Sequence, residues 1–271
     1  MKIAFIGGGN MASAMLGGLL QQGYAPADIG IVEIVTEARQ RLADTFGVRV
    51  FAEPTPDVTI AELIVFAVKP QQLADVAQSL AASLKGQLVI SIAAGIRAHD
   101  LARWLNGHQN IVRVMPNTPS LVQAGVAGLY AMPGVSADDR ARAEALMRSV
   151  GEVIWVANES DIDAVTAVSG SGPAYVFYFI EALEEAALDL GLTPAAARTL
   201  SLATFSGAAK LANASEDSAA TLRARVTSKG GTTAAALSAM EGASMKQLFI
   251  AAVKQAALRS QELGDEFGRL R

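Results

Sequence analysis

The sequence predicts an α/β fold: a doubly wound, mostly parallel sheet, followed by an all-helical second half. Three observations lead there. Short β-branched apolar runs alternate with helical patterns through the first half. A glycine cluster joins the first run to the first helix. Strand-like runs stop near residue 158 and Ala-rich helical patterns take over. The runs are "KIAFI" (2–6), "IGIVE" (29–33), "ELIVFAV" (62–68), "QLVISI" (87–92) and "NIVRVM" (110–115). Near-continuous apolar strands are those covered by helices on both faces. Segments near 10–22, 36–46, 70–84 and 98–105 read as the intervening helices, the order of a parallel sheet. "VAGLYA" (126–131) and "EVIWV" (152–156) extend the sheet, and Ser136 caps a helix over 136–151.

In the second half, "GSGPAYVFYFIEALEEAALDLG" has Pro173 near a helix start and Gly191 just past its end. Thr193 and Pro194 open the next helix as cap and first residue. "TTAAALSAMEG" and "SMKQLFIAAVKQAALRSQEL" complete the set. The run "YVFYFI" is apolar all round its helix and is expected to be buried, as it would be between subunits. The division expected is residues 1–158, a dinucleotide-binding domain, and 159–271, a helical domain.

Composition narrows the function. The chain is 51% apolar before its 24 glycines are counted, against about 45–50% with glycine in ordinary globular proteins. That surplus suggests subunit contacts. A net charge of −4 with no long basic run speaks against a nucleic-acid partner. There is no cysteine, hence no disulfide or thiolate chemistry, in keeping with a cytoplasmic location. Neither a signal peptide nor a membrane span is expected. No His/Asp/Glu cluster has metal-ligand spacing, so no metal is expected.

"FIGGGNMASAM" places Gly7, Gly9 and Ala12 at the G-x-G-x-x-G/A spacing between strand and helix. Gly7 permits the tight turn, Gly9 lets the backbone approach a pyrophosphate, and Ala12 keeps helix and strand close. The helix N-terminus supplies N–H groups for the anion. The same letters also suit a plain glycine-rich turn; the strand–turn–helix context favours dinucleotide binding. Glu33, about 20 positions on, can accept the ribose hydroxyls and repel a 2′-phosphate; Ile34 follows it, not Arg. The other strand ends carry "AVKPQQ", "SIAAGI" and "MPNTPS". Ala93, Ala94 and Gly95 are small enough to let a nucleotide pass, and Asn117 sits in a rigid turn at the same rim. Lys69 also reads as an ordinary surface lysine.

With "FIGGGNMA", "FAVKPQ", "SIAAG", "RVMPNTP", "SGSGPAY" and "TSKGGTT" in this order, the chain resembles the pyrroline-5-carboxylate reductases almost end to end. The resemblance implies a Rossmann domain plus an all-α C-terminal dimerisation domain. It implies NAD(P)H-dependent reduction of 1-pyrroline-5-carboxylate to L-proline, the last step of proline biosynthesis. It implies a homodimer through the helical half, and many members go on to decamers. Gly7, Gly8, Gly9, Asn10, Met11, Ala12, Ala67, Val68, Lys69, Pro70, Ala93, Ala94 and Gly95 would line the cofactor. The "TSKGGTT" segment would hold the substrate, reached across the dimer. Lys229 stands where the family commonly has Pro, and Arg225 where many members carry a smaller polar residue. Glu33-Ile34 replaces the small polar and Arg residues common in members that favour NADPH, which leans this chain towards NADH.

That substrate answers a puzzle in "VTSKGGTTAAAL" (226–237), which offers no His, Cys, Asp or Glu. An imine nitrogen is far more basic than a carbonyl oxygen, so the substrate can arrive protonated and no strong enzyme acid is needed. Gly230 and Gly231 are expected to leave N–H groups exposed, with Thr232 and Thr233 capping a helix from about Ala234. Such a helix start would hold the carboxylate, with Ser228 a second candidate. The Thr233 hydroxyl would serve the ring nitrogen as the catalytic group. Plain capping explains the same hydroxyls. His99 and His108 read as surface residues. "SGSGPAY" reads as a close approach of helices or subunits, and Asp161 and Asp163 as first-turn carboxylates. Two rival readings remain: a hydroxyacid dehydrogenase, whose lysine shortly after a helical-domain glycine motif is missing from "SGPAYVFYF" and has a stand-in in Lys210 of "SGAAKLAN", and a non-catalytic dinucleotide sensor.

Overall fold

The computed structural model describes residues 1–270. Eight strands form one sheet: β1 (Ile3–Ile6), β2 (Ile29–Val32), β3 (Arg49–Phe51), β4 (Leu63–Phe66), β5 (Leu88–Ser91), β6 (Ile111–Met115), β7 (Gly125–Ala131) and β8 (Gly151–Trp155). Their order is β3-β2-β1-β4-β5-β6-β7-β8. All pairs are parallel except β6 with β7. That exception follows from the connection, residues 116–124, which is shorter than the dozen or so residues a parallel crossover needs. The order reverses direction between β1 and β4, the point where open α/β sheets bind ligands beyond their carboxyl ends.

Helices α1 (Asn10–Gln21), α2 (Thr36–Phe46), α3 (Pro56–Thr59), α4 (Pro70–Ala81), α5 (Ala98–Trp104) and α6 (Ala137–Arg148) cover the sheet. Alternation along each strand divides the core between two faces. Ile3 and Phe5 of β1 join Leu16 and Leu19 of α1 and Leu146 of α6 on one side. Ala4 and Ile6 join Leu73 of α4 and Leu101 of α5 on the other. Each fully buried Leu, Ile or Phe contributes about 1.5–3 kcal/mol. As expected, Ser136 caps α6, accepting from the Asp139 N–H. The helix expected over 70–84 closes at Ala81. Strand β3 is not legible in the sequence, because a three-residue strand is too short to show a period.

Among the described residues five helices follow, α7 (Asp161–Val165), α8 (Gly172–Asp189), α9 (Pro194–Asn213), α10 (Ala219–Arg225) and α11 (Thr232–Gly242), and then α12 (Met245–Gly268). A π-helical turn, Thr166–Gly170, separates α7 from α8. Thr193 caps α9 with Pro194 behind it, as its sequence requires. Two compact units result. The first is Met1–Ser171 together with the chain from Gln255 on; the second is Gly172–Lys254.

The first unit is closed by its own C-terminal stretch. The Ser260 hydroxyl donates to Asp163 Oδ1 at 2.6 Å, both residues buried, and Arg97 pairs with Asp265 at 2.6 Å. In the second unit, Tyr175 and Phe179 of α8 pack on Phe249 of α12. Yet α8, α10 and α11 bury no residue fully. The run expected to be buried stands open in the single chain, with Phe177 64% and Tyr178 67% exposed.

Candidate functional site

The glycine motif folds as its spacing demands. Gly7, directly after β1, has φ +101°, a region other residues rarely adopt. A Cβ there would come within 2.8 Å of the Ala67 backbone, so the turn lies directly against the end of β4. Its N–H donates to the Val32 carbonyl at 2.8 Å. Gly9 is the N-cap of α1, and no side chain caps that helix start. Nothing lies within 4 Å of a Cβ built on Gly9, so the space above it is open. A helix start with uncapped N–H groups facing open space suits a pyrophosphate.

A cleft of about 610 Å³ opens over the carboxyl ends of β1, β2, β3 and β4. Gly7, Gly8, Gly9, Glu33, Ala67, Val68 and Lys69 line it. Asn10, Met11, Ala12 and Pro70 adjoin it as first-turn residues of α1 and α4 rather than as wall. Ala52, Glu53 and Pro54, Gln72 and Ser79 also line it, and no motif in the sequence marks them. The first three follow β3; recognising "VRVF" as a strand would have found them.

Glu33 is not a free carboxylate. Its Oε2 accepts the Gly8 N–H at 3.0 Å and its Oε1 the Val35 N–H at 2.9 Å. Arg39 fixes the same turn, donating to the carbonyls of Glu33 (2.7 Å) and Ile34 (2.8 Å) and to Thr36 Oγ1 (3.0 Å). An acidic oxygen is thus held at the cleft wall, and the nearby cation is spent on main-chain carbonyls.

Two other expected cofactor contacts have structural employment. Asn117 is 8% exposed. Its Oδ1 accepts the Val126 N–H at 2.9 Å and its Nδ2 donates to the Ser169 carbonyl at 3.2 Å, so it braces β7 rather than facing the cleft. Ala93, Ala94 and Gly95 follow β5, beyond the cleft lining. Gly95, with φ +77°, has the Phe267 ring 2.9 Å from where its Cβ would stand.

In the second unit, the residues before α11 depart from expectation. The helix begins at Thr232, not near Ala234, and its N-cap is Gly231 with no side-chain cap. Thr232 and Thr233 are therefore first-turn residues, and their hydroxyls are not capping groups. Gly231 does not offer its N–H outward, because it donates to the Ser228 carbonyl at 3.1 Å. That bond closes a turn with Lys229 and Gly230 at its corners, and Gly230 has φ +72°, the second-corner value of a type II turn. The open donors are the N–H groups of the first α11 turn, which carries no acidic residue. Arg225 pairs with Asp217, holding the segment before this turn.

His99 is exposed. His108 is half-buried, not a free surface residue, with its Nε2 2.8 Å from the Gln87 carbonyl. Lys210 is exposed on α9.

A protein-family model for pyrroline-5-carboxylate reductase dimerisation matches residues 159–263, and one for coenzyme F420-dependent NADP oxidoreductases matches residues 2–95. The chain is 44% identical to the pyrroline-5-carboxylate reductase of Pseudomonas aeruginosa, over 99% of this chain and 98% of that one. Among solved structures it is similar to a pyrroline-5-carboxylate reductase from Coxiella burnetii, with TM-score 0.91 and 42% identity over 97% of this chain and 98% of that one. The Plasmodium falciparum pyrroline carboxylate reductase, solved with NADP bound, has TM-score 0.86 at 29% identity over 97% of this chain and 98% of that one.

Proposed function

The chain belongs to the pyrroline-5-carboxylate reductase family, and from that premise we propose that it reduces 1-pyrroline-5-carboxylate to L-proline, closing proline biosynthesis. The observation that carries the reading is the pairing of an open glycine-motif cleft with an uncapped, acid-free helix start at "TSKGGTT". Its cofactor is a nicotinamide dinucleotide, which supplies the hydride when bound. In the division of labour we propose, residues 1–158 hold that cofactor, while residues 159–271 pair the subunits and hold substrate. The assembly is a homodimer, the unit from which a decamer would be built. A cytoplasmic location suits a reaction that consumes reduced dinucleotide.

The chain's own groups have modest tasks. The N–H groups at the start of α11 and the Ser228 hydroxyl hold the substrate carboxylate, using the positive end of the helix dipole. Gly230 and Gly231, next to the helix start, have no side chain to stand over that anion. The Thr233 hydroxyl, freed from capping, accepts a hydrogen bond from the protonated ring N–H and, once hydride has reached the ring carbon, relays a proton from solvent to the resulting amine. Binding fixes the ring's orientation, which is most of what an already protonated imine needs.

The assay follows oxidation of NADH and NADPH with pyrroline-5-carboxylate. Turnover is expected; hydroxyacid-driven NAD reduction instead, or binding without turnover, would replace the reading. Thr233→Ala should lower kcat/KM about 10- to 1000-fold, and wild-type kinetics would remove Thr233 from the mechanism. For the cofactor, we infer a preference for NADH of about tenfold in kcat/KM, the size of one carboxylate–phosphate repulsion of about 1.4 kcal/mol. Its support is the Glu33 carboxylate fixed at the cleft and the Arg39 guanidinium bound to carbonyls. Glu33→Ser should erase the preference; equal use of both cofactors with a ratio unmoved by that change would defeat it.

A further inference from the structure

The loop between β5 and α5 has weak internal support. The Ala93 N–H reaches Ser91 Oγ at 3.4 Å and the Ile96 N–H reaches the Ala93 carbonyl at 3.4 Å, both beyond the usual range for an N–H donor. Its shape must come from what is packed against it. One flank is held by Glu159, whose Oε1 accepts the Ala98 N–H at 2.6 Å and Arg113 Nη1 at 2.9 Å. The other contact is the last turn of α12. Phe267 lies over Gly95 so closely that a Cβ would meet its ring at 2.9 Å and Leu263 at 3.2 Å. The ring joins the apolar cluster that contains Ala93, Ile96 and Leu101.

That turn is anchored independently of the loop. Arg103 donates to the carbonyls of Gly268 (2.8 Å) and Leu270 (3.3 Å), and the Trp104 indole N–H also reaches Leu270 (3.3 Å). Ser260, Gly264 and Gly268 recur every fourth residue, on one helix face. A methyl on Gly264 would come within 2.9 Å of Arg97 Nε, and one on Gly268 within 2.9 Å of Asp100 Oδ2. A larger residue at Gly268 would press on the buried Asp100 carboxylate, whereas at Gly264 the flexible Arg97 guanidinium has room to move aside. The adenosine half of a dinucleotide belongs to β1–β3, and the nicotinamide half to the strands beyond the switch point, β5 among them.

We propose that Phe267 is a positioning residue for the dinucleotide: from the final turn of α12 it holds residues 93–95 in the shape that lines the nicotinamide end of the site. The proposal rests on the reading of residues 93–95 as cofactor lining.

Full-length Phe267→Ala, Phe267→Leu and Gly95→Ala are each titrated with NADH without substrate, then assayed, with circular dichroism confirming the fold. Phe267→Ala should weaken NADH binding about tenfold, the order expected for a displacement of under 1 Å, and leave the KM for pyrroline-5-carboxylate within about twofold. Leucine should recover part of the loss, leaving about a threefold deficit. If Gly95→Ala weakens NADH binding and the Phe267 variants do not, the lining reading stands and Phe267 is merely structural. If none of the three moves it, residues 93–95 do not line the cofactor and the proposal falls with that reading. Should Phe267→Ala not fold, Phe267→Leu decides: about a threefold loss of NADH affinity in folded protein supports the role, and wild-type affinity overturns it.

Discussion

The two compact units solve the problem of burying apolar surface in different ways. In the first, the sheet carries a continuous core on each face, and strand residues such as Phe5 and Phe66 are wholly enclosed. In the second, α8, α10 and α11 bury nothing fully, and large side chains such as Phe177, Tyr178 and Leu248 stand open. The first unit's core is complete within one chain. The second leaves several large apolar side chains open on the single chain, and it lies within the region matched by the family's dimerisation model. On the assembly proposed above, a second copy would cover this face.

The sharpest way to break this comparison is to charge the open face. Phe177→Asp should dissociate the oligomer and lower kcat about hundredfold or more, because a buried unpaired carboxylate at an interface is strongly unfavourable. NADH binding to the first unit should stay within a few fold. Light scattering and a binding titration measure the two; an intact oligomer with full activity would show that α8 is ordinary surface.

The self-sufficiency of the first unit is probed at Glu159. Arg113 is buried on β6 and its guanidinium depends on that carboxylate. Glu159→Ala should cost about 3–5 kcal/mol of stability by stranding the charge, read from denaturant midpoints. A loss under about 1 kcal/mol would mean that water or another group takes over. The smallest effect is expected in the second unit. Lys229 occupies the first corner of a type II turn, where Pro is preferred. Lys229→Pro should add about 0.4–1 kcal/mol by restricting the unfolded chain, seen as a higher Tm. A lower Tm would show that the backbone there is not preset for proline.

The parts that sequence made legible are those whose cause is local. β-branched runs announce the strands, Thr193-Pro194 and Ser136 announce helix starts, and Gly7 declares a turn because only its missing Cβ fits. What misled was also local: a Gly-Gly-Thr-Thr string reads as exposed amides and hydroxyl caps. The chain instead uses the Gly231 N–H to close its own turn and starts the helix two residues early.

The sequence by itself determined the layered α/β first half, the helical second half, the nucleotide turn and the family, since each depends on residues within a few positions of one another or on motif order. Only the tertiary structure decided that Glu33 spends both oxygens on backbone amides, that Asn117 braces β7, and that Phe267 closes over Gly95. Apart from the Glu33–Val35 bond, which is local, those contacts reach across other elements, from Glu33 back to Gly8, from Asn117 to β7 and from Phe267 to Gly95. A side chain's partner across such a distance is set by how whole elements pack, and no local period or spacing encodes it.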